Sequence, residues 1–302
     1  MDRPVLLALV LVAALPAVSV GAAAPADRVA VLPIGDGARS GFANQSLDVS
    51  TALALQQDAA AATLDRYAFD ARYRQTSPEA RRGLLFERLL RVRERIAALR
   101  RDDLALRRAY ANGSLSPAVA LRRSARIDAR ARTLRADLER IATQADQLPG
   151  TTFRSRIQTL SARLTGLSGP VRDRALAAAR GTAPPTRIYL AADAEGFVLA
   201  MLTDGRYVRE TYRGDQFTPR VVGSLQLDGA FDRAARLYPT AFNGSLRTGV
   251  NGLGAGVYRV TFALRDGSIT THIDGDTTGA FYEIRSRQVG SLAGPEAAVG
   301  TA

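Results

Sequence analysis

Residues 85–110 read LFERLLRVRERIAALRRDDLALRRAY, and in them Leu85, Leu89, Val92, Ile96, Leu99, Asp103, Leu106 and Tyr110 follow in alternating steps of four and three. That alternation is the period of a helix whose seam faces a neighbouring helix. Asp103 is the one acidic residue on the seam, placed to pair with an arginine of a neighbouring helix and set the register. Upstream, Ser77-Pro78-Glu79 is a helix start, with serine at the cap and proline in the first turn. Downstream, Asn112-Gly113 stops the helix and Ser116-Pro117 starts another, with the seam Ile127, Ala131, Leu134, Leu138, Ile141, Ala145 and Leu148. Two long seamed helices joined by a short loop predict an antiparallel hairpin with arms of about 50 Å at about 1.5 Å per residue.

The pattern extends to both sides. A preceding helix is expected from Ser46 or Ser50 to about Arg74, with Leu53, Ala60, Tyr67 and Leu64, Ala71 spaced by sevens. Before it, residues 28–34 read as a short extended segment and 35–40 as a loop. After Pro149-Gly150 a fourth helix carries Phe153, Ile157, Leu160, Leu164 and Leu167, and a short fifth runs to residue 180. Gly181-Thr182-Ala183-Pro184-Pro185 then ends the helical part, and the period changes from 3.5 to 2. Strands are expected around 188–190, 197–202, 207–212, 257–264, 268–273 and 280–287, with Asp204-Gly205 and Asp266-Gly267 as hairpin turns. A short helix after Asp228 shows Phe231, Ala234, Ala235 and Tyr238 on one face. The expected class is α+β: an antiparallel coiled-coil-like helical bundle over 27–181, a linker at 182–186, and a small antiparallel α+β meander domain over 187–290.

Composition narrows the chemistry. The 302 residues hold no cysteine, no tryptophan and one histidine, His272, which removes thiol catalysis, disulfides and zinc sites built on several Cys or His. Strand parity sets Thr270 and His272 opposite Ile269, Thr271 and Ile273, so His272 is expected to face solvent or an uncovered side of the sheet. Asp274 and Asp276 stand near it, but the 274–279 loop lacks the alternating ligands and terminal glutamate of a calcium loop. Gly252, Gly254 and Gly256 precede a strand, not a helix, so they form no phosphate cradle. No catalytic residue, cofactor or metal is expected.

The first 26 residues combine Arg3, an apolar run from Val5 to Val20 and an alanine-rich exit, the parts of a secretory signal peptide; left uncleaved, the run is long enough to act as a membrane anchor. Three of the four asparagines, Asn44, Asn112 and Asn243, open an N-x-S sequon, which agrees with export and makes each a glycosylation candidate. Residues 291–302 read as a flexible tail. Net charge is +12 with every basic residue an arginine, and residues 71–180 hold 25 arginines against 10 acids. Such a basic half suits an anionic envelope surface, with Arg91, Arg95, Arg101, Arg130 and Arg140 off the seams as candidate contacts. The stretch is poor in aromatic residues, so nucleic acid is not the expected partner.

Two resemblances add to this reading. The run from Gly41-Phe42-Ala43 to Leu53, the arginine-rich hairpin and Pro184-Pro185-Thr186-Arg187-Ile188-Tyr189 together resemble uncharacterised secreted proteins of halophilic archaea, which implies an exported, cysteine-free, sequon-bearing protein. Residues 228–287, a helix followed by strands with Asp266-Gly267 and Thr278-Gly279 at turns, are similar to the PepSY module. That likeness implies envelope-level interaction or regulation of an exported peptidase. The function expected from the whole sequence is a non-enzymatic exported interaction protein whose helical hairpin is the binding surface; the alternative is a peptidase regulator acting through the PepSY-like half.

Overall fold

A computed structural model describes residues 32, 34–35, 37–148, 153–218 and 225–291. The expected leader at 1–26 and all but the first residue of the expected tail lie outside the described residues. The helical part comprises α1 (Val49–Gln75), α2 (Pro78–Ala111), α3 (Pro117–Ala145), α4 (Phe153–Arg163) and α5 (Pro170–Ala179), preceded by the strand β1 (Arg39–Gln45). The remainder runs β2 (Thr186–Ala192), β3 (Gly196–Thr203), β4 (Arg206–Arg213), α6 (Leu227–Leu237), α7 (Pro239–Asn243), β5 (Arg247–Gly254), β6 (Val257–Leu264), β7 (Gly267–Asp274) and β8 (Ala280–Gln288). All eight strands form one antiparallel sheet in the order β1-β2-β3-β4-β8-β7-β6-β5.

Local chemistry sets the element ends. Asp48 caps α1 by accepting from the Thr51 amide at 2.8 Å, and Ser116 caps α3 by accepting from Val119 at 3.4 Å. Gly113 stops α2 with φ of +87°, a conformation that favours glycine. Asp204 and Gly205, with φ of +50° and +69°, make the primed turn that matches the twist of the β3–β4 hairpin.

The seams of α2 and α3 are buried: every α2 seam residue from Leu85 to Tyr110 is inside, and on α3 only Leu148, past the helix end, is half-buried. The main core lies between the helices and one face of the sheet, where Ile188, Leu190, Phe197, Leu199, Val208 and Tyr212 meet Leu121, Leu164 and Val171. A second, smaller core lies on the opposite face, where Ala234, Tyr238 and Ala241 of α6 and α7 cover Val260, Phe262, Ile269 and Ile273.

Two local expectations are corrected, and one strand is found where none was expected. The strand that precedes α1 is β1, which takes up part of the expected 35–40 loop, while the expected extended segment at 28–34 falls largely outside the described residues. Its sequence RSGFANQ is polar because only alternate residues, Ala43 and Gln45, turn to the core of an edge strand. The glycine-rich run at 249–254 is the opposite edge strand, β5, with a bulge between Gly252 and Gly254. The α1 row spaced by sevens faces outward: Leu53, Leu64 and Tyr67 are exposed, while Leu55, Phe69 and Tyr73 on the other side of the helix are buried.

Candidate functional site

Helix α1 meets the hairpin through a row of carboxylates. Asp48 lies 3.5 Å from Arg122, Asp58 lies 2.8 Å from Arg126 and 3.1 Å from Arg130, and Asp70 lies 3.4 Å from Arg140. Asp65 receives Arg88 at 2.7 Å and Arg95 at 2.9 Å, and Arg88 reaches Asp137 of α3 with its other amino group at 2.6 Å. Arg88 is buried, with its guanidinium over the Phe69 ring, so it ties three helices at one point. The Arg126 guanidinium, aided by Arg130, holds the Asp58 carboxyl down at about 2 against the effect of burial. Beside these pairs a cleft of about 580 Å³ opens between α1, α2, α3 and α5, with Leu55, Leu99, Leu134 and Leu176 among its apolar lining and Asp102 and Arg180 among its charged residues.

These pairs divide the five candidate arginines. Arg95, Arg130 and Arg140 are engaged with Asp65, Asp58 and Asp70 of α1. Arg91 and Arg101 stand exposed on α2, and no ion pair joins them to a carboxylate among the described residues. Glu87, Glu94 and Asp102 are interspersed with them on the exposed side of that helix.

A denser basic group sits at one end of the bundle. There the end of α1, the start of α2, the end of α3 and the start of α4 meet. The Arg81 Nε donates to the Tyr73 and Thr76 carbonyls at 3.2 and 3.1 Å, the Tyr73 hydroxyl donates to the Gln144 carbonyl at 3.4 Å, and Arg156 lies 5.1 Å over the Phe86 ring. Arg72, Arg74, Arg154 and Arg156 are all exposed at this pole. With Arg81 and Arg82, the segments 72–82 and 146–156 place six arginines there against Glu79 and Asp146. Sequence reading missed the pole because its residues lie about 75 positions apart and meet only through the hairpin's return.

The helices dock on the sheet through buried charge. Arg172 of α5 is fully buried, with its Nε 3.4 Å from the Glu210 carboxylate of β4, its Nη2 donating to the Gly166 carbonyl at 2.5 Å, and its guanidinium 4.4 Å over Phe197. Glu210 accepts from the Val171 and Arg172 amides and so caps α5 from the sheet beneath it. Asp128 of α3 accepts from the Gly169 amide at 2.9 Å at the same helix end and pairs with Arg132 at 2.9 Å. Burial pushes both the Glu210 and the Asp128 carboxyls up, against the pull of their arginines. A Cβ on Gly169 would collide with the Tyr282 hydroxyl and the Glu210 carboxyl, so the close approach requires glycine. Asp103, expected to pair across helices, pairs with Arg107 of its own helix at 3.1 Å, one turn away.

His272 is buried, which corrects its expected outward position: the face it shares with Tyr282 is covered by the helices. Its ring lies 5.2 Å from Tyr282 and 6.2 Å from Phe281, and burial, with Arg259 adding, drives its pKa down to about 3. Asp274 serves its turn, accepting from the Thr218 and Asp276 amides at 2.6 and 2.8 Å. Among the described residues no cluster of His, Asp and Glu is placed to hold a metal ion, and no helix is long and apolar enough to cross a membrane. The three sequon asparagines are exposed: Asn44 on β1, Asn112 in an Asx turn with Ser114 after α2, and Asn243 at the end of α7.

No curated protein and no solved structure matches the chain. A family profile described as a family of unknown function (DUF7094) matches residues 188–293, from the second residue pair of β2 past the end of β8. A second profile, described as a domain of unknown function (DUF7096), matches residues 26–184 and so takes in β1 and all five helices of the bundle. That match covers more than half of the 302 residues, and the chain belongs to the DUF7096 family.

Proposed function

We propose that this protein is a non-enzymatic interaction protein of the cell envelope or extracellular space, and that its helical part docks on an anionic envelope surface by its basic pole. The observation that carries the reading is the gathering of exposed Arg72, Arg74, Arg154 and Arg156 at one end of the bundle, while Arg88, Arg95, Arg126, Arg130 and Arg140 of the hairpin are committed to carboxylates of α1. The coiled-coil-like hairpin of α2 and α3 is a stiff arm that sets the pole about 50 Å from the loop at residues 112–116 at about 1.5 Å per residue. Export by a leader over residues 1–26, as the likeness to secreted archaeal proteins implies, agrees with three exposed sequons. A histidine sealed in the core with its pKa near 3 supports a role without proton transfer.

Co-sedimentation of the protein from residue 27 onward with phosphatidylglycerol vesicles tests the reading. Attraction through four or more arginines is screened over about 10 Å at 0.1 M salt and about 3 Å at 1 M. Binding is expected at 20 mM salt and a loss of at least about tenfold by 0.5 M, with none to phosphatidylcholine. Absence of binding at 20 mM, or equal binding to both lipids, contradicts it. Retention by an acidic polysaccharide but not by vesicles moves the partner from lipid to polymer.

A further inference from the structure

Six of the eleven exposed large apolar side chains among the described residues, Phe42, Leu47, Val49, Leu53, Leu64 and Tyr67, fall within residues 42–67. Three of them on α1, Leu53, Leu64 and Tyr67, belong to an ordered row. Leu53, Gln57, Ala60, Leu64, Tyr67 and Ala71 recur in alternating steps of four and three, as a coiled-coil seam does. Leu53, Leu64 and Tyr67 are 54%, 69% and 62% exposed. Leu55, Asp58, Asp65 and Phe69, on the opposite side of the helix, are the residues that hold α1 to the bundle. The helix therefore spends one face inside the protomer and keeps a second, seam-like face outside.

We propose that this outer face is a homodimer interface, on which a second copy of the chain lays its own α1 antiparallel. The seam is complementary to itself in that direction. With the two-fold axis beside Ala62, Leu53 meets Ala71 of the second copy, Gln57 meets Tyr67, and Ala60 meets Leu64. Each large side chain then faces a small or polar one, and all six seam positions are used. Charge points to the same occupant. The six seam residues are uncharged, as are Gln56, Ala61, Thr63 and Ala68 beside them, on a chain with net charge +12. Two such chains repel one another over most contacts, and this face removes that repulsion along the seam from Leu53 to Ala71, up to the pole arginines Arg72 and Arg74. Asp58, the one acid between residues 49 and 64, is turned inward to Arg126 and Arg130. The seam is about 27 Å long at about 1.5 Å per residue, a single narrow helix–helix contact, so the dimer is a weak one.

Sedimentation equilibrium of the protein from residue 27 onward, from 1 μM to 1 mM, tests this. The expected result is a shift from monomer to twice the chain mass across that range, retained in 0.5 M salt. Leu64→Glu, at a position 69% exposed and free of the core, is expected to raise the dissociation constant at least tenfold with an unchanged circular dichroism spectrum. Because the chain has no cysteine, the pair Ala60→Cys and Leu64→Cys reports direction by oxidative cross-linking: both positions are expected to link together, and Leu64→Cys alone is not. A monomer throughout the range, a dimer unaffected by Leu64→Glu, or cross-linking by Leu64→Cys alone overturns the proposal. Vesicle binding is read from replacement of the pole arginines and self-association from Leu64→Glu, so different substitutions test the two readings.

Discussion

At the scale of single residues the stability of the molecule turns on a few buried charges. Glu210 both faces the Arg172 guanidinium and caps α5, so Glu210→Ala leaves a fully buried arginine uncompensated and is expected to cost about 3–5 kcal/mol in chemical denaturation. The double variant Glu210→Leu with Arg172→Met removes both charges and is expected to recover most of that loss; an equal or larger loss would contradict this account of the pair. Gly169→Ala is expected to cost about 1–3 kcal/mol by overpacking against Tyr282 and Glu210. His272 gives the pH response its sign. Its folded pKa of about 3 lies below the ordinary histidine value, so the buried ring is neutral and its contribution is fully present above about pH 6.5. Stability is then lost as pH falls from 6.5 towards 3, by up to about 1.4 kcal/mol per pH unit. Denaturation of the protein and of His272→Phe between pH 7 and 4.5 checks this; the variant is expected to show the flatter curve, and parallel curves would contradict it. His272 was legible as the one histidine, though not as a buried one, and the Glu210, Arg172 and Gly169 positions were not legible. Arg-Glu-Thr at 209–211 reads as an ordinary polar alternation, and the partner of Glu210 lies 38 residues away on another element.

At the scale of elements, what could be read was spacing, and what could not was the side each face would turn to. The α2 and α3 seams went inside because each had the other to meet, and the hairpin loop at 112–116 left no other arrangement. On α1 the same spacing marks an outward face, because its aspartates, also seven apart at 58 and 65, find arginines on the hairpin. A period alone does not distinguish an apolar face turned to the bundle from one turned away. The carboxylate row predicts how α1 detaches. Arg88→Met leaves Asp65 and Asp137 without their shared partner, and hydrogen exchange is expected to quicken over residues 58–73 at least tenfold while the central amides of α2 and α3 keep their protection. Uniform quickening across all three helices would show that α1 is not held separately. β1 and β5 were hard to read for a related reason: edge strands turn few side chains to the core, so polar or glycine-rich sequences suffice.

At the scale of the whole molecule, the proposed division of the chain at residues 182–186 separates sequence segments that share one sheet. β1 pairs with β2 from Arg39 opposite Ala192 to Gln45 opposite Thr186, and the main core draws on both sides of that division. Residues 187–291 made alone are therefore expected to expose Ile188, Leu190, Phe197 and Leu199 and to bind a hydrophobic dye, whereas mixing with residues 32–184 suppresses the signal. A fragment that stays folded and dye-free alone would contradict this coupling. The change of period at Gly181-Thr182-Ala183-Pro184-Pro185 was readable because helix and strand patterns are local; the shared core was not, because it is made by pairing across about 150 residues.

The charge of the molecule carries the functional claim, and one comparison tests it most directly. Arg72, Arg74, Arg154 and Arg156 are replaced together by glutamine in one variant of the protein from residue 27 onward, and Arg91, Arg93, Arg101 and Arg108, exposed along α2, in another. Both variants lose four charges, so net charge alone affects them equally. Binding to phosphatidylglycerol vesicles at 20 mM salt is expected to fall at least tenfold in the pole variant and less than threefold in the flank variant, with circular dichroism unchanged in both. Equal losses, or a larger loss in the flank variant, would contradict a pole-directed surface.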